Sequence, residues 1–193
     1  LVDTAGLRRK SKITESIEFY STIRTFRAID RSDVAIILID AQQGLEHQDL
    51  RVIETTMERR RSAVLVMNKW DLVEKDELTA RAMERALRER LRVYDFLPII
   101  FISAKTNQRV HKVLEIAKTV NEEQQRKIPT STLNELLGKD ILAFPPRARS
   151  GKELKIKYIT QVGSKPPVFA FFANDPVAIE AAVAFAVSWK PFV

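Results

Sequence analysis

The chain has 193 residues, 45% hydrophobic and 30% charged, with a formal net charge of +7 and no cysteine. That length supports one good core or two small ones. The lack of cysteine excludes disulfides and thiolate metal sites and suits a reducing cytosol, and no stretch is apolar for long enough to span a bilayer as a helix. The basic excess fits an RNA partner and an ordinary solvated surface equally well.

The chain opens on an apolar stub, Leu1-Val2, that reads as the end of a strand. Leu1 is therefore expected to lie inside a strand and not at a native start. Asp3-Thr4-Ala5-Gly6 follows. An Asp here can hold Mg²⁺ through water, and the Gly6 amide can approach a terminal phosphate with no side chain in the way. Ile17 to Ala28 has helical spacing. Val34 to Ile39 is a continuous apolar run, as in a strand covered on both faces. Asp40 ends it, Gln43-Gly44 makes a turn, and His47 to Arg59 reads as a helix.

A second apolar run, Ala63 to Met67, leads into Asn68-Lys69-Trp70-Asp71. An N-K-x-D tetrapeptide at a strand end fits recognition of guanine. The Asp71 carboxylate can accept hydrogen bonds from the guanine N1–H and exocyclic amine. Adenine lacks that donor pair and would leave a buried carboxylate unmatched, at about 1–3 kcal/mol. Asn68 can tie neighbouring loops together and reach the base, and the stem of Lys69 can lie over the ring. Thr79 to Arg92 is charged, alanine-rich and helical in pattern. A third strand, Pro98 to Ile102, runs into Ser103-Ala104-Lys105, where backbone N–H groups can meet the guanine O6. Val110 to Gln125 is a further helix, with Val113, Leu114, Ala117 and Val120 expected on its apolar face. His47 and His111 sit near helix starts with no carboxylate cluster at metal-ligand spacing. Trp70 lies inside the N-K-x-D segment, and Trp189 is read as packing.

Alternating strands and helices predict an α/β fold over residues 1–128, a parallel sheet with helices on both faces. Ligands bind such sheets at the carboxyl ends of the strands, where Asp3, Asn68 and Ser103 all fall. The polar stretch Glu122 to Pro129 reads as a helix end and a linker. Residues 129–193 read as a small α+β domain. Thr132 and Glu135 form a capping-box pair that starts a short helix, and Pro145-Pro146 and Gly151 bracket an Arg-rich loop. Glu153 to Gln161 alternates, with Leu154, Ile156 and Tyr158 on one side and Lys155 and Lys157 on the other. Val168 to Ala173 is a second strand, and Asp175-Pro176 starts a helix. Arg147, Arg149, Lys152, Lys155, Lys157 and Lys165 can meet phosphates or simply face solvent. A G-x-x-G clamp for an RNA backbone is absent, because Gly163-Ser164-Lys165-Pro166 carries Pro in the last place.

The order D-T-A-G, N-K-x-D, S-A-K is that of the translation-factor-type GTPases. The segments Asp3 to Lys10, Ile17-Glu18, Arg24-Thr25, Asp40-Ala41, Gln48-Asp49 and Asn68 to Val73 resemble the second GTPase domain of the bacterial Der/EngA family of tandem GTPases. Thr160-Gln161-Val162, Pro166-Pro167, Phe169 and Phe172 to Pro176 resemble that family's KH-like domain. The resemblance implies an incomplete P-loop GTPase domain followed by a KH-like domain, and a cytoplasmic protein. It also implies GTP and GDP as ligands with Mg²⁺, GTP hydrolysis, and association with the large ribosomal subunit and its RNA during assembly. The nucleotide site would comprise Asp3, Gly6, Asn68, Lys69, Asp71, Ser103, Ala104 and Lys105, with Asp3 holding Mg²⁺ through water.

Three departures stand out. Neither the phosphate loop G-x-x-x-x-G-K-S/T nor the first switch occurs in these residues, and the N-terminal GTPase domain on which the resemblance implies that the KH-like domain packs is expected to lie outside them. The tail Ala178 to Val187 is alanine-rich where the family has a basic helix. Leu7 follows Gly6 where Ras-like enzymes carry a water-orienting Gln, a feature that Der-like GTPases share. Two functions follow as expectations: a GTPase switch of which these 193 residues alone are inactive, or a non-catalytic platform for RNA or protein with a degenerate nucleotide domain. Era, another GTPase with a KH domain, is set apart by the G-x-x-G loop that its KH domain keeps.

Overall fold

A computed structural model describes residues 25–74, 79–143 and 155–174, of 137–143 the backbone alone. Asp3, Gly6, Leu7, residues 17–24, the Arg147–Lys152 loop, Glu153, Leu154, the expected helix at Asp175 and Trp189 lie outside the described residues. The chain divides into two compact units, Leu1–Asn121 and Glu122–Val193.

In the first unit, α1 is described over 25–31 and runs past Ala28 to Arg31. It is followed by β1 (Val34–Asp40), α2 (His47–Glu58), β2 (Ser62–Asn68), α3 (Thr79–Leu91), β3 (Ile99–Phe101) and α4 (Val110–Gln124). The strands form one parallel sheet in the order β1-β2-β3. Ala63 to Met67 of β2 are 0–1% exposed, because neighbours flank the strand and helices cover both its faces. Ala63, Leu65 and Met67 join a core with Ile53 of α2 and Leu87 and Leu91 of α3. Val64 and Val66 point the other way, into a core with Ile100, Ile102 and Val113 of α4. The continuous apolar run is thus the pleat serving two cores at once.

Helix α2 starts at Glu46, which caps it in a reciprocal box with Asp49. The Asp49 carboxylate accepts the Glu46 N–H at 2.8 Å, satisfying a donor that the helix start would leave free. On α4 the expected apolar face needs one correction. Leu114 is 51% exposed, and the covered face carries Val113, Ile116, Ala117 and Val120 instead. Neighbouring helical residues point about 100° apart, so Val113 and Leu114 cannot share a narrow stripe.

In the second unit, α5 (Thr130–Ala143) precedes an antiparallel hairpin, β4 (Ile156–Ser164) and β5 (Pro167–Ala173). The helix begins at Thr130, with Leu133 N–H bonded to the Pro129 carbonyl. Thr132 therefore lies inside the helix and is not its cap. The alternation expected in β4 is also shifted. The pairing slips between Ile156 and Tyr158, and a bulge turns the following side chains over. Ile159 is 1% exposed, while Tyr158 turns outward at 42% and meets Phe172 with ring centroids 5.3 Å apart.

The outer edge of β4 is closed by side chains. Asn134 accepts the Ile159 N–H at 3.0 Å and donates to the Ile159 carbonyl at 2.8 Å. Gln161 accepts the Ile128 N–H and donates to the Arg126 carbonyl. Two amides thus stand in for a neighbouring strand and leave little edge open. Gly163-Ser164-Lys165-Pro166 spans the end of β4 and the hairpin turn.

Candidate functional site

The parallel sheet sets three strand ends side by side. Asp40, the last residue of β1, is in register with Asn68, the last of β2. Ile102, just past β3, donates its N–H to the Met67 carbonyl at 2.9 Å and accepts the Trp70 N–H at 3.0 Å. The N-K-W-D and S-A-K loops are therefore stitched together by main-chain bonds before any side chain acts.

Asn68 Oδ1 accepts two backbone N–H groups, from Lys69 at 2.8 Å and from Ala104 at 3.0 Å. The Ala104 N–H, the expected donor to the base, is engaged by Asn68 in this structure. Lys69 adopts φ +63° and is followed by a single 3₁₀ turn, Trp70–Leu72. That conformation turns the chain sharply, burying Trp70 and leaving Lys69 outside. Trp70 is 5% exposed and lies against Phe101, ring centroids 4.5 Å apart. Asp71, half-buried, sits in the same turn.

Ser103 is fully buried. It exchanges main-chain bonds with Gln108, and its Oγ accepts the Thr106 N–H at 3.1 Å. Its place is to shape the loop that carries Ala104 and Lys105, both exposed. Asn68, Lys69, Asp71, Leu72, Ala104 and Lys105 line a cavity of about 380 Å³. Six of the eight predicted site residues therefore fall in one place, with Ser103 beneath the lining; Asp3 and Gly6 lie outside the described residues.

One neighbour escapes sequence reasoning. Asp40 reads as a strand terminator, yet its Oδ2 lies 2.6 Å from Lys69 Nζ. The Lys69 ammonium bonded to it holds the Asp40 carboxyl below its ordinary value. The pairing links residues 29 positions apart, so only the register of β1 on β2 could have disclosed it.

Among the described residues no group of His, Asp and Glu is arranged to hold a metal ion, and no helix is long and apolar enough to cross a membrane. His47 and His111 are exposed, as are Lys155, Lys157 and Lys165.

A parallel sheet with N-K-x-D and S-A-K at adjacent strand ends is the arrangement of a P-loop GTPase fold. Residues 18–123 match the family model for the elongation factor Tu GTP-binding domain, and residues 127–184 that for the KH-domain-like C-terminal part of EngA bacterial GTPase enzymes. The chain belongs to the Der/EngA family of GTPases. GTPase Der of Chloroherpeton thalassium is 53% identical over 180 residues, covering 93% of this chain and 41% of that protein. GTPase Der of Caldanaerobacter subterraneus is 47% identical over 176 residues, covering 91% and 40%. The chain thus spans about two fifths of the length of these relatives.

Solved structures agree on the fold. A probable GTP-binding protein engB superposes with a TM-score of 0.50 at 17% identity, covering 63% of this chain and 77% of that one. Era, solved with MgGDPNP and a segment of 16S ribosomal RNA, gives 0.51 at 16% identity, covering 89% and 59%.

Proposed function

We propose that the parent protein is a GTP-binding and GTP-hydrolysing switch acting in assembly of the large ribosomal subunit, and that the cavity at the ends of β2 and β3 receives guanine. The observation that carries this is the Asn68 bridge to Ala104, which joins the two base-recognition loops around a cavity that Asp71 also lines. Asp71 accepts the guanine N1–H and amine, Lys69 covers the ring face, and Lys105 flanks the opening. As the base enters, the Ala104 N–H transfers from Asn68 to the guanine O6. Asn68 then turns its amide toward the base. Ser103 keeps the loop in shape from beneath.

Asp3 would hold Mg²⁺ through water, and Gly6 would approach the terminal phosphate. Magnesium would supply charge neutralisation at the phosphates. The chain contains no G-x-x-x-x-G-K-S/T, so the 193 residues alone do not hydrolyse GTP. We place the working boundary between nucleotide domain and KH-like domain at residue 128/129, within the polar segment after α4. The exposed Lys155, Lys157 and Lys165 suit contacts to RNA phosphates by charge alone. The packing partner of the KH-like domain would be an N-terminal GTPase domain. This proposal places the protein in the cytoplasm.

The test is calorimetric titration of the parent protein with GDP, XDP and ADP. GDP should bind, ADP should not, and Asp71→Asn should shift preference from GDP to XDP, because an amide can donate to the xanthine carbonyl. GDP affinity unchanged by Asp71→Asn would remove the guanine assignment.

A further inference from the structure

We propose that Asp40 is a positioning residue of the base cavity, holding the Lys69 side chain in place as the cavity's wall. The proposal rests on the guanine assignment above and adds a residue that the recognition motifs do not contain.

Lys69 has every reason to wander. It is a long side chain that loses much rotamer freedom when fixed, and it stands 53% exposed. Its backbone is locked at φ +63° between the Asn68 Oδ1 bond to its N–H and the Leu72 N–H bond to its carbonyl. Those bonds fix where the side chain starts and not where it ends. Asp40 fixes the end, with Oδ2 at 2.6 Å from Nζ.

Asp40 is itself held. Its side chain is only 17% exposed, and its other oxygen, Oδ1, accepts the Gln42 N–H at 3.0 Å. Its carbonyl accepts the N–H groups of Gln43 and Gly44. Gly44 at φ +69° lets the chain fold back over that carbonyl. The strand register places Asp40 directly beside Asn68, so one strand end supplies the anchor and the next supplies the lysine. An ion pair with one rigid partner costs less ordering than one between two free chains. The lysine stem is thereby laid along the cavity before a ligand arrives, and the ordering is not charged to binding.

Positioning differs from recognition in what it changes. Asp40 acts on the ring face through Lys69, so it should alter affinity for every purine nucleotide the site accepts and leave base choice to Asp71. The experiment compares wild-type parent protein with Asp40→Asn, Lys69→Met, the double variant and Asp71→Asn, measuring GDP and XDP affinity for each. Asparagine keeps the Oδ1 acceptor for Gln42 and puts an uncharged amide NH2 in place of the Oδ2 that holds Lys69. Asp40→Asn should weaken GDP and XDP alike by about two- to fivefold, and the double variant should be no weaker than Lys69→Met. Additive losses, or no loss in Asp40→Asn while Asp71→Asn still inverts base preference, would overturn the positioning role and leave the guanine assignment standing.

A second readout needs no nucleotide and covers a failure of that assignment. In an NMR acid titration, the Asp40 carboxyl should titrate higher in Lys69→Met than in wild type. An unchanged Asp40 titration would overturn the pairing by itself.

Discussion

Asn68 Oδ1 accepts the Ala104 N–H at 3.0 Å across 36 residues of chain. One carbonyl oxygen thus fastens the loop after β3 to the loop after β2. Asn68→Ala should release the Ala104 end of the second loop, while the main-chain bonds of Ile102 to Met67 and Trp70 remain. The variant leaves the Ala104 and Lys69 N–H groups to find water, at about 0.5–1.5 kcal/mol for each ordinary bond lost. GDP affinity of the parent protein should fall by about tenfold or more, and amide exchange at Ala104 should accelerate. Retained affinity with accelerated exchange would show that the tie shapes the loop without serving the base.

Trp70 occupies the variable position of N-K-x-D, yet it is the most deeply placed side chain of the motif, against Phe101 and within the core of α2 and α3. Trp70→Ala should destabilise the unit by about 3–5 kcal/mol, as large aromatic deletions in cores do. Trp70→Phe keeps most of the volume and should cost far less. In urea unfolding the midpoint should drop strongly in the first and slightly in the second. GDP binding by Trp70→Phe should stay near wild type, which separates a packing role from a contact to the base.

Much of this was legible in the sequence, and the misses have physical causes. The sheet announces itself because a strand buried on both faces must be apolar at consecutive positions, as Ala63 to Met67 are. The neighbouring N-K-W-D and S-A-K loops follow from short motifs at the ends of such strands. Leu114 misleads because an apolar residue beside a buried one cannot be ranked by hydrophobicity; its angle on the helix decides. Tyr158 and Ile159 exchange places because a bulge depends on the partner strand, which a single strand's pattern does not contain. Asp40 goes unnoticed as a site residue for a similar reason, since its partner lies on the neighbouring strand's loop.

Two shifted carboxylates among the described residues, Asp40 and Asp49, should leave opposite marks on the pH dependence of stability. Asp40 is held below its unfolded value by the Lys69 ammonium. Its stabilisation is complete above the unfolded value near about 3.9, and it is lost as pH falls through the lower folded value. Burial pushes Asp49 up. The folded state there holds its proton more tightly, so stability falls as pH rises from the unfolded value through the folded one. Asp49→Asn, which keeps an acceptor for the Glu46 N–H, should remove that decline just above the ordinary carboxylate range. Lys69→Met should remove the acid-side loss that Asp40 contributes. Denaturant midpoints from mildly acidic pH, for Asp49, down to below the ordinary carboxylate range, for Asp40, would check both; parallel curves for wild type and Asp49→Asn would contradict the first.

In the second unit, Asn134 should matter more than a polar residue on a short helix usually does. Its amide satisfies both main-chain groups of Ile159, a residue 1% exposed. Asn134→Ala leaves a donor and an acceptor without their partner, at about 1–3 kcal/mol for each group that water cannot reach. Asn134→Asp keeps the acceptor but sets a carboxylate oxygen against the Ile159 carbonyl, and should be no better. The Ile159 amide should lose hydrogen-exchange protection in both variants, while Val64 and Val66 of the first unit keep theirs. Equal loss in both units would mean that Asn134 supports global folding and not the edge of β4.

The 193-residue chain, prepared alone, should turn over no GTP. Phosphoryl transfer needs a cradle of backbone N–H groups, a lysine on the β- and γ-phosphates and a hydroxyl on magnesium. The sequence offers no G-x-x-x-x-G-K-S/T to supply them. What it does offer is the cavity at Asn68, Asp71 and Ala104, which we propose receives the base. Phosphate contacts carry much of a nucleotide's charge-assisted binding, so guanosine and GDP should bind this chain with similar, weak affinity, whereas the parent protein should prefer GDP strongly. Phosphate release from GTP, measured against a no-protein control for a chain verified by intact mass to begin at Leu1, decides the matter. Magnesium-dependent turnover that disappears in Asp3→Ala would show that these residues suffice for hydrolysis and would sink the requirement for a phosphate loop.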